Sequence, residues 1–186
     1  MTKNWILTTV IDNLEERKDE LIKLAHKLFM EITALPNEVR NDEKERTGMA
    51  VFIAPEFCDN FIRFNIGNPS DRAIRYAQRK AESLEGGEFY STRDFENPEH
   101  AMWAGGIATD GWIEEMKNET NPEGLWLCVG VSGLKSEEDE VVAIILAATV
   151  LDVNPKQMVD HMIYGEISEN IRTEGHYLYE IIERYS

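Results

Sequence analysis

The sequence predicts an α+β fold, an antiparallel sheet flanked by helices, with an N-terminal amphipathic helix and a C-terminal helical extension. Three observations carry that prediction. Two short runs rich in apolar and aromatic residues, MAVFIA (49–54) and FIRFNI (61–66), flank the loop PEFCDN, whose Asp59-Asn60 pair favours a turn; together they read as a β-hairpin. A later apolar run, residues 125–131, has the length of a buried strand. Segments with apolar residues at three- and four-residue spacing surround these strands, as helices packed on a sheet require.

Taken in order, residues 10–35 place Leu14, Leu21, Leu24, Ala25, Leu28, Phe29 and Ile32 on one helical stripe, ended near Pro36. NEVRNDEKERTG (37–48) has almost no apolar content and reads as an exposed linker or a frayed helical end. After the hairpin, Ser70 caps a helix reaching about Leu84, with Ala73, Ile74, Ala77, Ala81 and Leu84 as its buried stripe. Small residues there imply close packing on the sheet. Gly86-Gly87 ends this helix, and EFYST within the following loop has the composition of a short strand. GGIATDG (105–111) sets a glycine pair before Ile107 and an Asp-Gly turn signal after it. A strongly apolar helix completes at 141–151, Asn154-Pro155 breaks it, and 156–186 supply one or two more helices.

At 186 residues the chain is expected to form a single domain: 1–48 an N-terminal helix and linker, 49–152 the core, 153–186 the extension. Lys plus Arg number 19 against 35 Asp plus Glu, a formal charge of −16, which repels nucleic acid and anionic membrane surfaces. Cys58 and Cys128 sit in apolar runs without CxxC spacing and read as buried thiols. No apolar run nears the ~20 residues of a membrane span, and the N-terminus lacks a signal-peptide pattern, so a cytoplasmic protein is expected.

The sharpest local feature is LCVGVSGLKSEEDEVVA (127–143). A nucleophile elbow needs Gly-x-Ser-x-Gly, whereas Gly130-Val131-Ser132-Gly133 breaks that spacing, and no histidine signature points to Ser132. A phosphate cradle is opposed by Glu137, Glu138, Asp139 and Glu140, which occupy the helix start themselves. The junction therefore reads as structural: Ser132-Gly133 turns the chain out of the strand, and Ser136 with Asp139 approximates a capping box.

The same residues resemble the GlcG/HbpS-like family, in which Gly-Gly, a hairpin, Gly-Val-Ser-Gly and an acidic helix start follow in that order. A second match is Ser70 with Ala77-Gln78-Arg79-Lys80-Ala81, similar to that family's serine-capped helix with its Ala-x-x-Lys-Ala core. The chain departs from the family pattern in WIEEMKNETNPEG, inserted after the Asp-Gly turn, in PEFCDN at the first hairpin, and in the longer tail. The resemblance implies a profilin-like fold assembled into symmetric oligomers. It also implies links to haem binding or degradation, corrinoid metabolism and glycolate-utilisation operons. Haem enters as a cofactor through the resemblance alone, with no ligand set matched residue by residue.

Two further candidates come from the residues themselves. Arg63, Arg72, Arg75, Arg79 and Lys80 form the one concentrated basic stretch, and Arg72, Arg75 and Arg79 share a helical face. They read either as a solvated face paired with acidic neighbours or as a site for a small anionic ligand or another subunit. His100 precedes the glycine-rich AMWAGGI and reads as a loop residue or a ligand-binding one. Trp103, Trp112 and Trp126 are explained by packing, and no spacing suggests a protein metal site. The functional expectation is a non-catalytic ligand-binding or scaffolding homo-oligomer. The alternatives are a tetrapyrrole-binding, tetrapyrrole-degrading or cofactor-chaperone protein, and a protein-interaction module. The apolar tail positions Met158, Met162, Ile163, Ile167 and Ile171 are expected to offer a second subunit-contact surface.

Overall fold

A computed structural model describes residues 14–55, 61–84, 91–94, 105–109, 127–162 and 166–186. The elements are α1 (Lys18–Thr33), α2 (Asn37–Arg40), β1 (Gly48–Pro55), β2 (Ile62–Gly67), α3 (Asp71–Glu82), β3 (Gly106–Thr109), β4 (Leu127–Ser132), α4 (Ser136–Leu151), α5 (Pro155–His161) and α6 (Tyr177–Arg184). Short 3₁₀ turns occupy Thr92–Asp94 and Glu169–Ile171. The strands form one antiparallel sheet in the order β2-β1-β4-β3, so the fold is α+β, an antiparallel sheet flanked by helices.

The expected hairpin forms. β1 pairs with β2 from Gly48 opposite Gly67 to Ile53 opposite Ile62. Every residue of β1 is buried, because both faces of this central strand are covered. Met49, Val51 and Ile53 point into the larger core with α1 and α4, while Ala50, Phe52 and Ala54 point into a smaller one with Ala77, Ala81 and Leu84 of the α3 segment. Alternation along one strand thus serves two layers. α3 lies on one face of the sheet; α1 and α4 lie on the other.

α4 is buried nearly all round, as a helix without a polar face must be. What covers its far side corrects the tail's expected role. Met158, Met162, Ile167 and Ile171 lie in the main core beside Leu178, Ile181 and Ile182, and so are unavailable to another subunit; Ile163 falls outside the described residues. The tail is fastened by Asn154 Nδ2 donating to Ser186 O at 2.8 Å and by Arg184 and Tyr185 reaching Glu31 of α1.

The 37–48 segment begins with a helical turn, α2, and its expected exposure is corrected at two positions, since Arg40 and Asp42 are 3% and 8% exposed. The burial of Arg40 depends on a partner 98 residues away, Glu138, and so is invisible locally, while Asp42 is paired with Arg40 and Arg46 beside it.

Candidate functional site

The charged residues that sequence reasoning placed in a simple helix start form a built polar junction between layers. Glu138, Asp139 and Glu140 are consecutive, and successive helical side chains leave the axis about 100° apart. Each therefore faces a different element, and each meets a different cation. Glu138 accepts both arms of Arg40, Nε and Nη2, at 2.8 Å each; it also accepts the Tyr177 hydroxyl at 3.1 Å. Asp139 Oδ2 lies 3.2 Å from Lys80 Nζ. Glu140 accepts Arg93 Nε at 2.6 Å and Nη2 at 2.9 Å, and the Ser168 amide at 3.3 Å. All three carboxylates are at most 3% exposed.

The capping assignment changes accordingly. Lys135, extended at ψ 152°, is the N-cap residue, and Ser136 is already the first helical residue. Glu138 accepts the Lys135 amide at 3.0 Å, the half of a capping box that Asp139 was expected to make. Asp139 is turned inward, where Oδ1 accepts the Leu134 amide at 3.0 Å. Burial, partly offset by the Lys80 ammonium, leaves the Asp139 carboxyl above its ordinary value. Burial likewise raises Glu140 to about 6 against the pull of Arg93.

Lys80 was read with the basic stretch, yet it is 1% exposed. Its ammonium donates to Val131 O at 2.5 Å as well as to Asp139, joining α3 on one face of the sheet to α4 on the other. The passage is possible where side chains are missing: a Cβ on Gly105 would stand 2.5 Å from Asp139 Cβ and 3.1 Å from Lys80 Nζ. One turn of helix away, a Cβ on Gly130 would meet Ala77 O at 1.9 Å, so α3 rests directly on the β4 backbone. The signal for Lys80 was present in the sequence: it lies three residues after Ala77 and seven after Ala73, on the buried stripe. Arg40 and Arg93 carried no comparable signal.

Ser132, 8% exposed, ends β4 opposite Ala50. Gly133, at φ +139°, turns the chain where a Cβ would lie 2.4 Å from Gly48 O. Among the described residues no group of three or more His, Cys, Asp and Glu side chains could hold a metal ion. No helix of the described residues is long and apolar enough to cross a membrane. Cys128 is buried, and Cys58, His100, Trp103, Trp112 and Trp126 lie outside the described residues.

The arginines of the basic stretch divide into two groups. Arg72, Arg75 and Arg79 are all exposed on the outer side of α3, away from the sheet that Ala73, Ala77 and Ala81 contact. Arg72 stacks 5.0 Å from the Tyr76 ring centre, while Arg75 and Arg79 have no ion-pair partner among the described residues. Arg63 stands apart on the edge strand β2, 6.0 Å over the exposed Phe61 ring. The junction is therefore internal and occupied by its own counterions, and the outward cations are the groups free to meet another molecule. No family model, no curated protein and no solved structure matches the chain.

Proposed function

We propose that the chain is a non-catalytic binding or scaffolding protein of the GlcG/HbpS-like kind. It recognises an anionic group through the outer arginine row of α3. The observation that carries this reading is the row itself: three exposed arginines, two without an ion-pair partner among the described residues, on a chain of net charge −16. Guanidinium forks suit carboxylate and phosphate geometry, and the row is the place where an anion escapes the repulsion of the remaining surface.

Two features support the family reading. The motifs that carry the resemblance pack on one another, with Ala77 and Ala81 over Gly130 and Lys80 beside Gly105. A profilin-like arrangement also fits an antiparallel sheet with helices on both faces. The non-catalytic part of the reading rests on the junction, whose three carboxylates are committed to Arg40, Lys80 and Arg93.

Native mass spectrometry of the purified chain tests it. The expected result is a retained anionic component, or an assembly of chains, released when Arg72, Arg75 and Arg79 are all changed to Ala. Retention unaltered by that triple change would overturn the role of the row.

A further inference from the structure

We infer that the outer edge of β2 is a docking site for an extended acidic segment of another protein, which adds to the sheet as an outermost strand. This is a surface distinct from the arginine row of α3, and it goes beyond the reading of that row.

The two edges of the sheet differ. At the β3 edge, Ser91 bridges Ile107 and Thr92 Oγ1 accepts the Gly106 amide at 3.0 Å, so that strand has a partner on its outer side. β2 has no such cover among the described residues. Register decides which of its backbone groups point outward. Asn68 N donates to Thr47 O at 2.8 Å, and these two residues stand opposite each other one step beyond the Gly48–Gly67 pair. Bonded and non-bonded pairs alternate along an antiparallel ladder, so Ile62, Phe64 and Ile66 exchange hydrogen bonds with β1, while Arg63 and Asn65 turn their N–H and C=O away from it. Both are exposed. Natural edges are blunted by bulges, prolines or charges. β2 keeps unbroken register with β1, contains no proline and carries a single charge, Arg63.

The side chains beside this edge select the partner. Arg63 stands opposite Phe52, which points to the α3 side of the sheet, and the Phe61 ring stacks on Phe52 at 4.9 Å, so Arg63 and Phe61 share that side. α3 packs over β1, β3 and β4 there, and Phe61, 47% exposed, stands beside it in the open. The Arg63 guanidinium rests on the Phe61 ring and meets no carboxylate among the described residues. A strand laid antiparallel along β2 puts one side chain across from Arg63, about 5 Å between Cβ atoms, and the next but one beside Phe61. A glutamate suits the first position through charge-assisted bonds, and an aromatic residue suits the second. Main-chain bonds to Arg63 and Asn65 supply affinity, and these two side chains supply the selection. The exposed arginines of α3 lie on the same side and soften the repulsion that a net charge of −16 exerts on an acidic segment.

Fluorescence polarisation with the full chain and labelled peptides tests this. The first peptide is Thr-Val-Glu-Val-Phe-Thr; the second has lysine in place of the glutamate; the third carries a methyl group on the glutamate nitrogen, which removes the donor aimed at Arg63 O. The first is expected to bind, and the other two at least about tenfold more weakly, as the loss of a charge-assisted or main-chain bond implies. Arg63→Glu should turn the preference toward the lysine peptide. Asn65→Pro deletes an outward N–H and spares the ladder to β1, so it should weaken the first peptide with the circular dichroism unchanged. The peptide comparisons need no change to the protein and decide the matter even if that variant folds poorly. No binding of the first peptide, or equal binding of its methylated form, would overturn strand addition. Binding lost when Arg72, Arg75 and Arg79 are changed to Ala, yet kept in Arg63→Glu, would move the acidic segment to α3. A wild type above single-chain mass in light scattering that returns to it in Asn65→Pro would give the edge to a second copy and sink the proposal.

Discussion

Lys80 of α3 and Asp139 of α4 meet at 3.2 Å across the end of the sheet, although their helices belong to opposite layers. Both side chains are almost inaccessible, and the ammonium is also fixed by Val131 O. A buried pair of this kind adds little net stability over an apolar replacement, but losing one partner strands the other charge.

Lys80→Met is therefore expected to lower unfolding free energy by about 3–5 kcal/mol, as removal of one member of a buried pair does. The double variant Lys80→Met/Asp139→Leu should recover a large part of that loss. Denaturant unfolding of the two proteins measures it. A double variant no more stable than Lys80→Met would show that the charge relationship is not what limits stability here.

Gly130→Ala tests the close seat of α3. The added methyl would lie 1.9 Å from Ala77 O, a backbone atom, so the helix has to move off the strand. Overpacking of this kind costs about 1–3 kcal/mol and can exceed it. Thermal unfolding should show a drop of several degrees, with the Lys80–Asp139 contact disturbed as well. An unchanged melting temperature would mean that α3 is not held at this distance.

Stability should also carry a signature of Glu140. Burial holds its carboxyl at about 6 in the folded chain, above the ordinary 4.5. A folded value above the unfolded one means that the folded state binds the proton more tightly. This contribution is fully present below pH 4.5 and is lost as pH rises through 6, amounting to about 2 kcal/mol. Glu140→Gln removes it, so the stability difference between wild type and variant should change over that window and level off on either side. Carbon-13 NMR of labelled glutamate reads the titration directly. A midpoint near 4.5 would remove the basis of the prediction.

Haemin is expected to give no saturable one-to-one Soret spectrum. Its propionates face a chain of net charge −16, and no haem-ligand motif was matched in the sequence. A saturable spectrum abolished by His100→Ala would instead establish a tetrapyrrole site.

The sequence by itself determined the elements whose causes are local. Two short apolar and aromatic runs around a turn specified the β1–β2 hairpin, the Ser70 hydroxyl accepts the Ala73 amide at 3.2 Å as a cap should, and the stripe from Leu14 to Ile32 is buried apart from the half-buried Leu24. It also placed Arg72, Arg75 and Arg79 on one face, because helical period alone puts them there. Tertiary structure decided which charges face water. Arg40, Lys80 and Arg93 find their carboxylates 98, 59 and 47 residues away, separations that no spacing rule reports. It separated Arg63 from the α3 row by setting one on an edge strand and the other on the outer face of a helix. It also turned the tail's apolar positions inward, since α4, apolar on every side, needed a cover that a sheet on one side alone does not provide.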